Sequence, residues 1–163
     1  MSAATADPAR QLQELLIRTE IDKLNIRFAY LIDHDRSGEV AELFTEDGIY
    51  GRSTGERSIG REEIGQSYRI RKEHGQRTAR HLFSNLHLEF ETDRRVRGTV
   101  VLTLFAHDGA PPHPAEVFLV ADYDDIYQCG DDGIWRYQQR IVTWLFRQPS
   151  AKSPLALGAA RSS

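Results

Sequence analysis

Residues 81–106, HLFSNLHLEFETDRRVRGTVVLTLFA, decide the fold of this chain. They hold two runs rich in Leu, Phe and Val on either side of the polar turn Asp93-Arg94-Arg95, which is the pattern of a β-hairpin. Two further apolar runs follow at Glu116–Tyr127 and Ile134–Phe146, with Gly130–Gly133 as the turn between them. The C-terminal half is therefore predicted to form four long antiparallel strands.

Upstream of these strands the apolar spacing is that of helices. Apolar residues recur at mostly three- and four-residue steps from Leu12 to Ile32, behind the helix-starting pair Asp7-Pro8. This predicts a long helix that ends near Asp33–Arg36, a short second helix from Ser37 and a third over Ile59–His74. The intervening turn, short strand and polar loop are expected at Thr45–Gly48, Ile49–Gly51 and Gly55–Ser58.

The order of the elements defines the fold class. Helices followed by antiparallel strands indicate an α+β protein, with helices packed on one face of a curved sheet. A curved sheet closed by a long helix makes a cone with a pocket inside, so a small-molecule site is expected there.

Composition excludes several kinds of partner. The chain has 163 residues, and its 21 Lys and Arg against 24 Asp and Glu give a net charge of −3. Such a balance provides no general attraction for nucleic acid or an anionic membrane. The single cysteine, Cys129, excludes an intrachain disulfide and favours a reducing compartment. No apolar segment is typical of a secretory signal or a membrane span, so a cytoplasmic location is expected.

Six short stretches together form a recognisable set of motifs. They are Arg27–Asp33 (RFAYLID), Glu39–Gly48 (EVAELFTEDG), Gly60–Ile64 (GREEI), Thr78–His81 (TARH), Asp122–Tyr127 (DYDDIY) and Asp132–Tyr137 (DGIWRY). The set resembles the SnoaL-like branch of the nuclear-transport-factor-2-like (NTF2-like) superfamily. The resemblance implies a cone-shaped, cystatin-like α+β barrel over residues 8–147, with flexible tails at 1–7 and 148–163. It leaves the reaction open, because this fold hosts lyases, isomerases, cyclases and binding modules.

Within that superfamily the chain is most similar to scytalone dehydratase and the bile-acid 7α-dehydratases. The resemblance puts Asp33 and His81 at the positions of a catalytic pair, and Tyr50 at a tyrosine directed toward substrate. Two positions depart from these enzymes: Phe28 replaces a tyrosine of the bile-acid enzymes, and Ala106 stands near a second histidine of scytalone dehydratase. The implied activity is that of a dehydratase or isomerase that uses neither a metal nor an organic cofactor.

The chemistry of such an elimination explains why these residue types are needed. A histidine can remove a proton beside a carbonyl, and a carboxylate on its other ring nitrogen fixes the tautomer and stabilises the imidazolium. We therefore predict His81 as the base and Asp33 as the residue that orients it. Each has an ordinary alternative, as a strand histidine with a satisfied ring and as a helix-ending aspartate. They lie 48 positions apart, so the sequence leaves their contact open.

The other predicted substrate contacts follow from periodicity. Tyr30 precedes Asp33 by three residues and is expected on roughly the same helix face. On the first long strand, Phe83 and Asn85 alternate with His81 and should share its face, whereas Leu86, Leu88 and Phe90 should lie on the other. Phe28, Tyr50 and Trp135 complete the predicted pocket lining. For the tyrosines a hydroxyl bonded to a backbone carbonyl is the alternative, and for Asn85 ordinary sheet packing.

Charged residues elsewhere are interpreted mainly as structural. Asp125 and Arg140 are expected to form a cross-strand salt bridge, with Arg140 as a pocket residue that steadies an anion as the alternative. The run Arg69, Arg71, Lys72, Arg77 and Arg80 reads as a solvated face or, alternatively, as a site for the phosphates of a coenzyme A thioester. No motif for a metal site is present.

We thus expect a small cofactor-independent lyase or isomerase for an apolar hydroxylated carbonyl compound, such as a steroid-like, terpenoid or polyketide ring. One alternative is a non-catalytic ligand-binding or assembly module of the same fold. Another is a small-subunit relative of ring-hydroxylating dioxygenases, which would need a large partner subunit. A homodimer or homotrimer built through the strands is expected, because Leu86, Leu88 and Phe90 would otherwise be exposed.

Overall fold

One six-stranded sheet is formed by two strands that precede the second α-helix and four that follow it. The computed structural model describes residues 7–149 and 157–158. Its helices are α1 (Pro8–Asp33), a 3₁₀ helix (Ser37–Leu43) and α2 (Gly60–Glu73). Its strands are β1 (Phe44–Arg52), β2 (Arg57–Ile59), β3 (Arg77–Thr92), β4 (Arg95–Asp108), β5 (Leu119–Cys129) and β6 (Trp135–Arg147). The predicted α+β class is confirmed, and the order of helices and strands is as predicted except for β2.

The ends of the chain fall mostly outside this description. Residues 1–6, 150–156 and 159–163, in which most of the predicted tails lie, are outside the described residues. The predicted domain bounds of 8 and 147 coincide with the first residue of α1 and the last residue of β6. They stay a prediction, as does the flexibility of the tails.

A side-chain cap and a proline define the start of the helix α1. The Asp7 carboxylate accepts the backbone N–H of Ala9 at 3.0 Å, and Pro8 occupies the first helical position. The buried face of α1 consists of Ile17, Ile21, Leu24, Asn25, Phe28 and Leu31. Leu12, Leu15 and Leu16 continue the same apolar pattern but are exposed, so the period extends beyond the part of the helix that reaches the core.

The sheet has the order β2-β1-β6-β5-β4-β3. The consecutive strands β3, β4, β5 and β6 pair antiparallel with one another, whereas β1 pairs parallel with β6. The predicted turn at Thr45–Gly48 lies inside β1 as a shift of register against β6 between Phe44 and Ile49. The predicted polar loop at Gly55–Ser58 instead contributes to β2, which pairs with Ile49–Gly51.

An irregularity in β3 changes which side chains face the helices. Asn85 has a φ of 54°, and the pairing of β3 with β4 shifts register between Ser84 and His87. Such a bulge interrupts the simple alternation of faces. The prediction that Leu86, Leu88 and Phe90 lie opposite His81 is therefore wrong, since all three are partly buried and pack against the core.

The predicted salt bridge between Asp125 and Arg140 is present in the centre of the sheet. The two residues are direct partners across β5 and β6, and the Arg140 Nε and Nη2 atoms donate to the Asp125 carboxylate at 2.9 and 2.7 Å. Both side chains are fully buried. The guanidinium also lies 3.9 Å from the ring centre of Tyr137 and 4.5 Å from that of Phe28. Burial is the largest single effect and lowers the pKa of Arg140, but the charge and hydrogen bonds of Asp125 together with Tyr137 and Tyr127 raise that pKa overall.

Candidate active site

The C-terminal end of α1 is tied to the strand β3 by one carboxylate. Asp33, the last residue of α1, accepts the backbone N–H of His81 at 2.8 Å through Oδ2. Its Oδ1 lies 2.6 Å from Nδ1 of the His81 ring. The strand β3 is at the edge of the sheet, so the helix end supplies a partner for a backbone N–H that no neighbouring strand could reach. The side chains of Asp33 and His81 are 6% and 11% exposed.

This contact fixes the protonation of the imidazole when the ring is neutral. An ionised carboxylate only accepts hydrogen bonds, so Nδ1 must carry the proton that Oδ1 accepts. The other nitrogen, Nε2, then holds a lone pair, and it makes no hydrogen bond within the described part of the chain. His81 thus has the form that a general base needs, with its orientation set by a nearly buried carboxylate.

His81 lines a cavity of about 120 Å³ between α2 and the inner face of the sheet. Its apolar walls come from the central strands, with Leu102 and Leu104 from β4, Leu119 from β5 and Val142 from β6. Leu157, from the C-terminal segment, also lines it. The exposed lining residues Asp35, Lys72 and Gly75 mark the cavity mouth.

Three tyrosines, which we call the tyrosine floor, bring hydroxyl groups to the buried end of this cavity: Tyr50, Tyr68 and Tyr123. The hydroxyls of Tyr50 and Tyr123 lie 3.4 Å apart, and the rings of Tyr50 and Tyr68 stack with centroids 6.3 Å apart. The hydroxyl of Tyr68 is buried and has no hydrogen-bond partner in the described part of the chain. Burial raises the pKa of all three phenols, so each stays protonated at neutral pH and can donate.

The structure does not bring three of the predicted substrate contacts into the cavity. Tyr30 is exposed and stacks on His34, because it lies about 200° around the helix axis from the buried Phe28. Asn85 sits at the bulge in β3 and is exposed. Trp135 begins β6, whereas Trp144, about 30 Å further along that strand, is the tryptophan that lines the cavity.

Two other predicted contacts lie behind the cavity wall. Phe28 is fully buried and meets the ring of Tyr50 edge-on at 6.2 Å. Phe83 is partly buried and packs on Tyr123 at 5.7 Å. Neither lines the cavity, so both support the tyrosine floor rather than form it.

Sequence reasoning missed several lining residues. Tyr123 alternates with Asp125 on β5, which places both on the inner face, and Tyr68 follows the buried Ile64 by one helical turn. Those two signals could have identified the tyrosine floor. Arg71, Lys72 and Arg77 also line the cavity, although the run of cations to which they belong was interpreted first as a solvated face.

The described residues contain neither a cluster of metal ligands nor a membrane-spanning helix. Within residues 7–149 and 157–158, no group of three or more His, Cys, Asp or Glu side chains is placed to hold a metal ion. His107 and His113 stack on each other at 4.3 Å without a third such ligand. Over the same residues no helix is long and apolar enough to cross a membrane.

Comparison with known proteins identifies one matching family and several solved structures with a similar fold. The profile of a family described as SnoaL-like domain matches residues 13–141. A putative scytalone dehydratase from Novosphingobium aromaticivorans has a TM-score of 0.76 at 19% identity, over 94% of this chain and 99% of that one. LinA has a TM-score of 0.70 at 19% identity, over 86% and 95%. No curated protein sequence matches significantly.

A third solved structure has a different printed role. It is the beta subunit of a putative aromatic-ring-hydroxylating dioxygenase from N. aromaticivorans, with a TM-score of 0.71 at 14% identity, over 83% of this chain and 93% of that one. At such identities the three likenesses show a shared fold and do not distinguish among their roles.

Proposed function

Because the chain belongs to the SnoaL-like domain family, whose fold is shared by a putative scytalone dehydratase and by a putative dioxygenase beta subunit, we propose its function from the cavity rather than from the fold. We propose that it is a small lyase or isomerase of the dehydratase type that works without a metal or organic cofactor. Its substrate is a hydroxylated carbonyl compound, and His81 and Asp33 are its acid–base pair.

The observation that carries this proposal is the contact of 2.6 Å between His81 Nδ1 and Asp33 Oδ1 at the edge of a largely apolar cavity. A purely structural aspartate would need only the bond to the backbone N–H of His81. The second bond adds nothing to the register of β3, but it sets the tautomer of a ring that lines the cavity. The resemblance to dehydratases at these two positions supports the same roles.

The arrangement supports a stepwise elimination. The Nε2 lone pair of His81 removes a proton from the carbon beside the carbonyl, and the resulting imidazolium is stabilised by Asp33. A hydroxyl of the tyrosine floor donates to the carbonyl oxygen as it gains negative charge. The imidazolium then returns its proton to the departing hydroxide, so that water and an unsaturated carbonyl compound are formed. The base ends each cycle neutral, and no oxidant or reductant is consumed.

The size of the cavity narrows the expected substrate. A volume of about 120 Å³ is close to that of engineered cavities of about 150 Å³ that bind benzene. One six-membered ring therefore fits within it, and a steroid-sized substrate would have to project through the mouth. A monocyclic ketone, or one ring of a larger compound, is the form that the cavity favours.

One alternative role is disfavoured by the site, and the other is open to a direct test. A non-catalytic binding module has no need of a histidine whose free nitrogen and tautomer are defined by a buried carboxylate. A role like that of the dioxygenase beta subunit would be supported by stable association with a large partner subunit.

The test uses a panel of hydroxylated cyclic ketones and enoyl thioesters, followed by ultraviolet absorbance of the conjugated product and by deuterium exchange at the acidic carbon. His81→Ala should slow the reaction by about 10²- to 10⁴-fold, the usual contribution of a general base. His87→Ala is the matched control, because His87 lies on the same strand with its side chain exposed. Wild-type rates of both exchange and elimination in His81→Ala would refute the proposal.

A further inference from the structure

Positive charge is concentrated on the cavity that contains His81. Four cationic side chains line it, Arg52, Arg71, Lys72 and Arg77, whereas Asp35 is the one carboxylate among the described lining residues. The whole chain is slightly acidic, with a net charge of −3. The charge at the cavity therefore differs in sign from that of the protein as a whole. We call Arg71, Lys72 and Arg77, which come from the end of α2 and the start of β3, the basic rim.

Arg77 is the member of the basic rim that keeps a buried donor without a partner among the described residues. Its side chain is 17% exposed, and its Nη2 atom is buried without a hydrogen-bond partner in the described part of the chain. Its Nη1 atom donates to Asp108 at 3.0 Å, and its guanidinium lies 4.8 Å from the ring centre of Phe118. A buried donor of a charged group without a partner is costly, so it marks a position where an acceptor is expected.

The Asp108 carboxylate, which accepts from Arg77, also pairs with Arg71. Arg71 lies 3.5 Å from the same Asp108 oxygen, and the Asp108 side chain is 76% exposed to solvent, which weakens its interaction with either cation. Burial lowers the pKa of Arg77, with a further lowering from Arg71 and opposition from Asp108. Two arginines that are each less than a fifth exposed are thus balanced by one largely exposed carboxylate.

A structural role accounts for only part of the basic rim. Arg71 and Lys72 lie in the last turn of α2, where cations favourably meet the carbonyl end of the helix dipole. Arg77 is on a strand, so this explanation does not apply to it. It shares the inner face of β3 with Ala79 and His81, and all three line the cavity.

We propose that the basic rim binds an anionic group of the substrate, a carboxylate or a phosphate, and that Arg77 is its main ligand. This inference rests on the proposed function for its chemistry, and it narrows the substrate to a hydroxylated carbonyl compound that carries an acidic group. The four-residue separation of Arg77 and His81 puts their Cα atoms about 13 Å apart. The acidic group therefore lies several bonds from the carbon that loses its proton, at the mouth rather than at the tyrosine floor.

Binding of non-reacting probes tests this inference separately from catalysis. Isothermal titration calorimetry would compare cyclohexanecarboxylate with its uncharged analogue cyclohexanecarboxamide, and phenyl phosphate would serve as the phosphate probe. At least one anionic probe should bind about 10- to 100-fold more tightly than the amide, as expected for a charge-assisted hydrogen bond in a partly buried site. The probe that binds more tightly identifies the carboxylate or the phosphate as the preferred group.

Variants assign the effect to the basic rim. Arg77→Gln should remove most of the preference for the anion, and Arg71→Gln should reduce it if Arg77→Gln does not fold. Arg69→Gln is the matched control, since Arg69 carries the same charge on the exposed side of α2, paired with Glu62. Because the probes do not react, their binding can show the preference for an anion even if the proposed elimination fails. Equal binding of amide and anions, or wild-type anion binding by both Arg77→Gln and Arg71→Gln, would overturn the inference.

Discussion

Replacing Asp33 by asparagine tests whether the carboxylate controls the tautomer of His81. In the native protein one oxygen of Asp33 accepts the backbone N–H of His81 at 2.8 Å, and the other accepts from ring Nδ1 at 2.6 Å. Asparagine has one carbonyl oxygen and one NH₂ group. Because the backbone N–H can only donate, the amide oxygen must face it, and the NH₂ group is then directed at Nδ1.

The consequence for the ring is a change of tautomer. An NH₂ donor requires Nδ1 to accept, so the imidazole proton moves to Nε2, and the nitrogen beside the cavity loses the lone pair of a base. We expect kcat to fall by about 10²- to 10⁴-fold with a smaller change in KM. The fold should persist, since replacing the two charge-assisted hydrogen bonds of Asp33 by neutral ones costs about 1 kcal/mol each.

Two measurements would check this expectation. Long-range ¹H–¹⁵N spectra of histidine-labelled protein report the tautomer without any substrate, and the His81 signal is assigned by its absence from His81→Ala. The neutral ring should be the Nδ1–H form in the wild type and the Nε2–H form in Asp33→Asn. Asp22→Asn, on a more exposed part of α1, is the control. A wild-type ring in the Nε2–H form, or an unchanged tautomer and rate in Asp33→Asn, would refute the reasoning.

Two further predictions concern stability and assembly. Burial raises the pKa of Tyr50, Tyr68, Tyr123, Tyr127 and Tyr137. The unfolded chain therefore binds fewer protons than the native state above about pH 10, so the free energy of unfolding falls as the pH rises. Each of the five tyrosines contributes a loss of about 1.4 kcal/mol per pH unit. Together they should unfold the protein within about two pH units above pH 10. Denaturant titrations at increasing pH, with tyrosinate absorbance near 295 nm, should show these five ionising together with unfolding; their ionisation in the folded protein would contradict this. The second prediction concerns assembly through a row of residues that are paired across the strands, Leu82, Thr103, Val120 and Phe146. Leu82 and Phe146 are exposed, so we expect a second copy of the chain to cover them. Light scattering at micromolar concentration should give the mass of a dimer or trimer, and Phe146→Ser should lower that mass. A monomer mass for the wild type would exclude it.

The elements that were predicted correctly are those whose signal is local. The long helix ends at Asp33 and the β3–β4 hairpin turns at Asp93-Arg94, both as expected, because caps, periods and turn residues act over a few neighbouring positions. The bulge at Asn85 was not predicted, since a single asparagine in a left-handed conformation has no pattern of its own in the sequence. Its effect is large, because it changes the face of every later side chain in β3.

The candidate site was only partly predicted, because its residues come from parts of the chain that are distant in sequence. Asp33 and His81 were identified by resemblance, and their contact brings together the ends of two elements 48 residues apart. Tyr30 was placed incorrectly, because its position was judged from its spacing to Asp33, whereas it lies about 200° around the helix axis from the buried Phe28. Arg77 was grouped with surface cations, since its charge is visible in the sequence but its burial beside the cavity is not.

The buried pairs Asp125–Arg140 and Asp33–His81 differ in whether a ligand can reach them. Asp125 and Arg140 are completely enclosed, and the pair is further bonded to Tyr127 and surrounded by aromatic rings. No ligand can reach it without unfolding, so it organises the sheet behind the tyrosine floor. Asp33 and His81 are almost as buried, but one ring nitrogen is left without a partner and the ring borders a cavity. We therefore propose that His81, held on one side and open on the other, exchanges a proton with a bound molecule, and that the basic rim at the mouth of the same cavity orients that molecule.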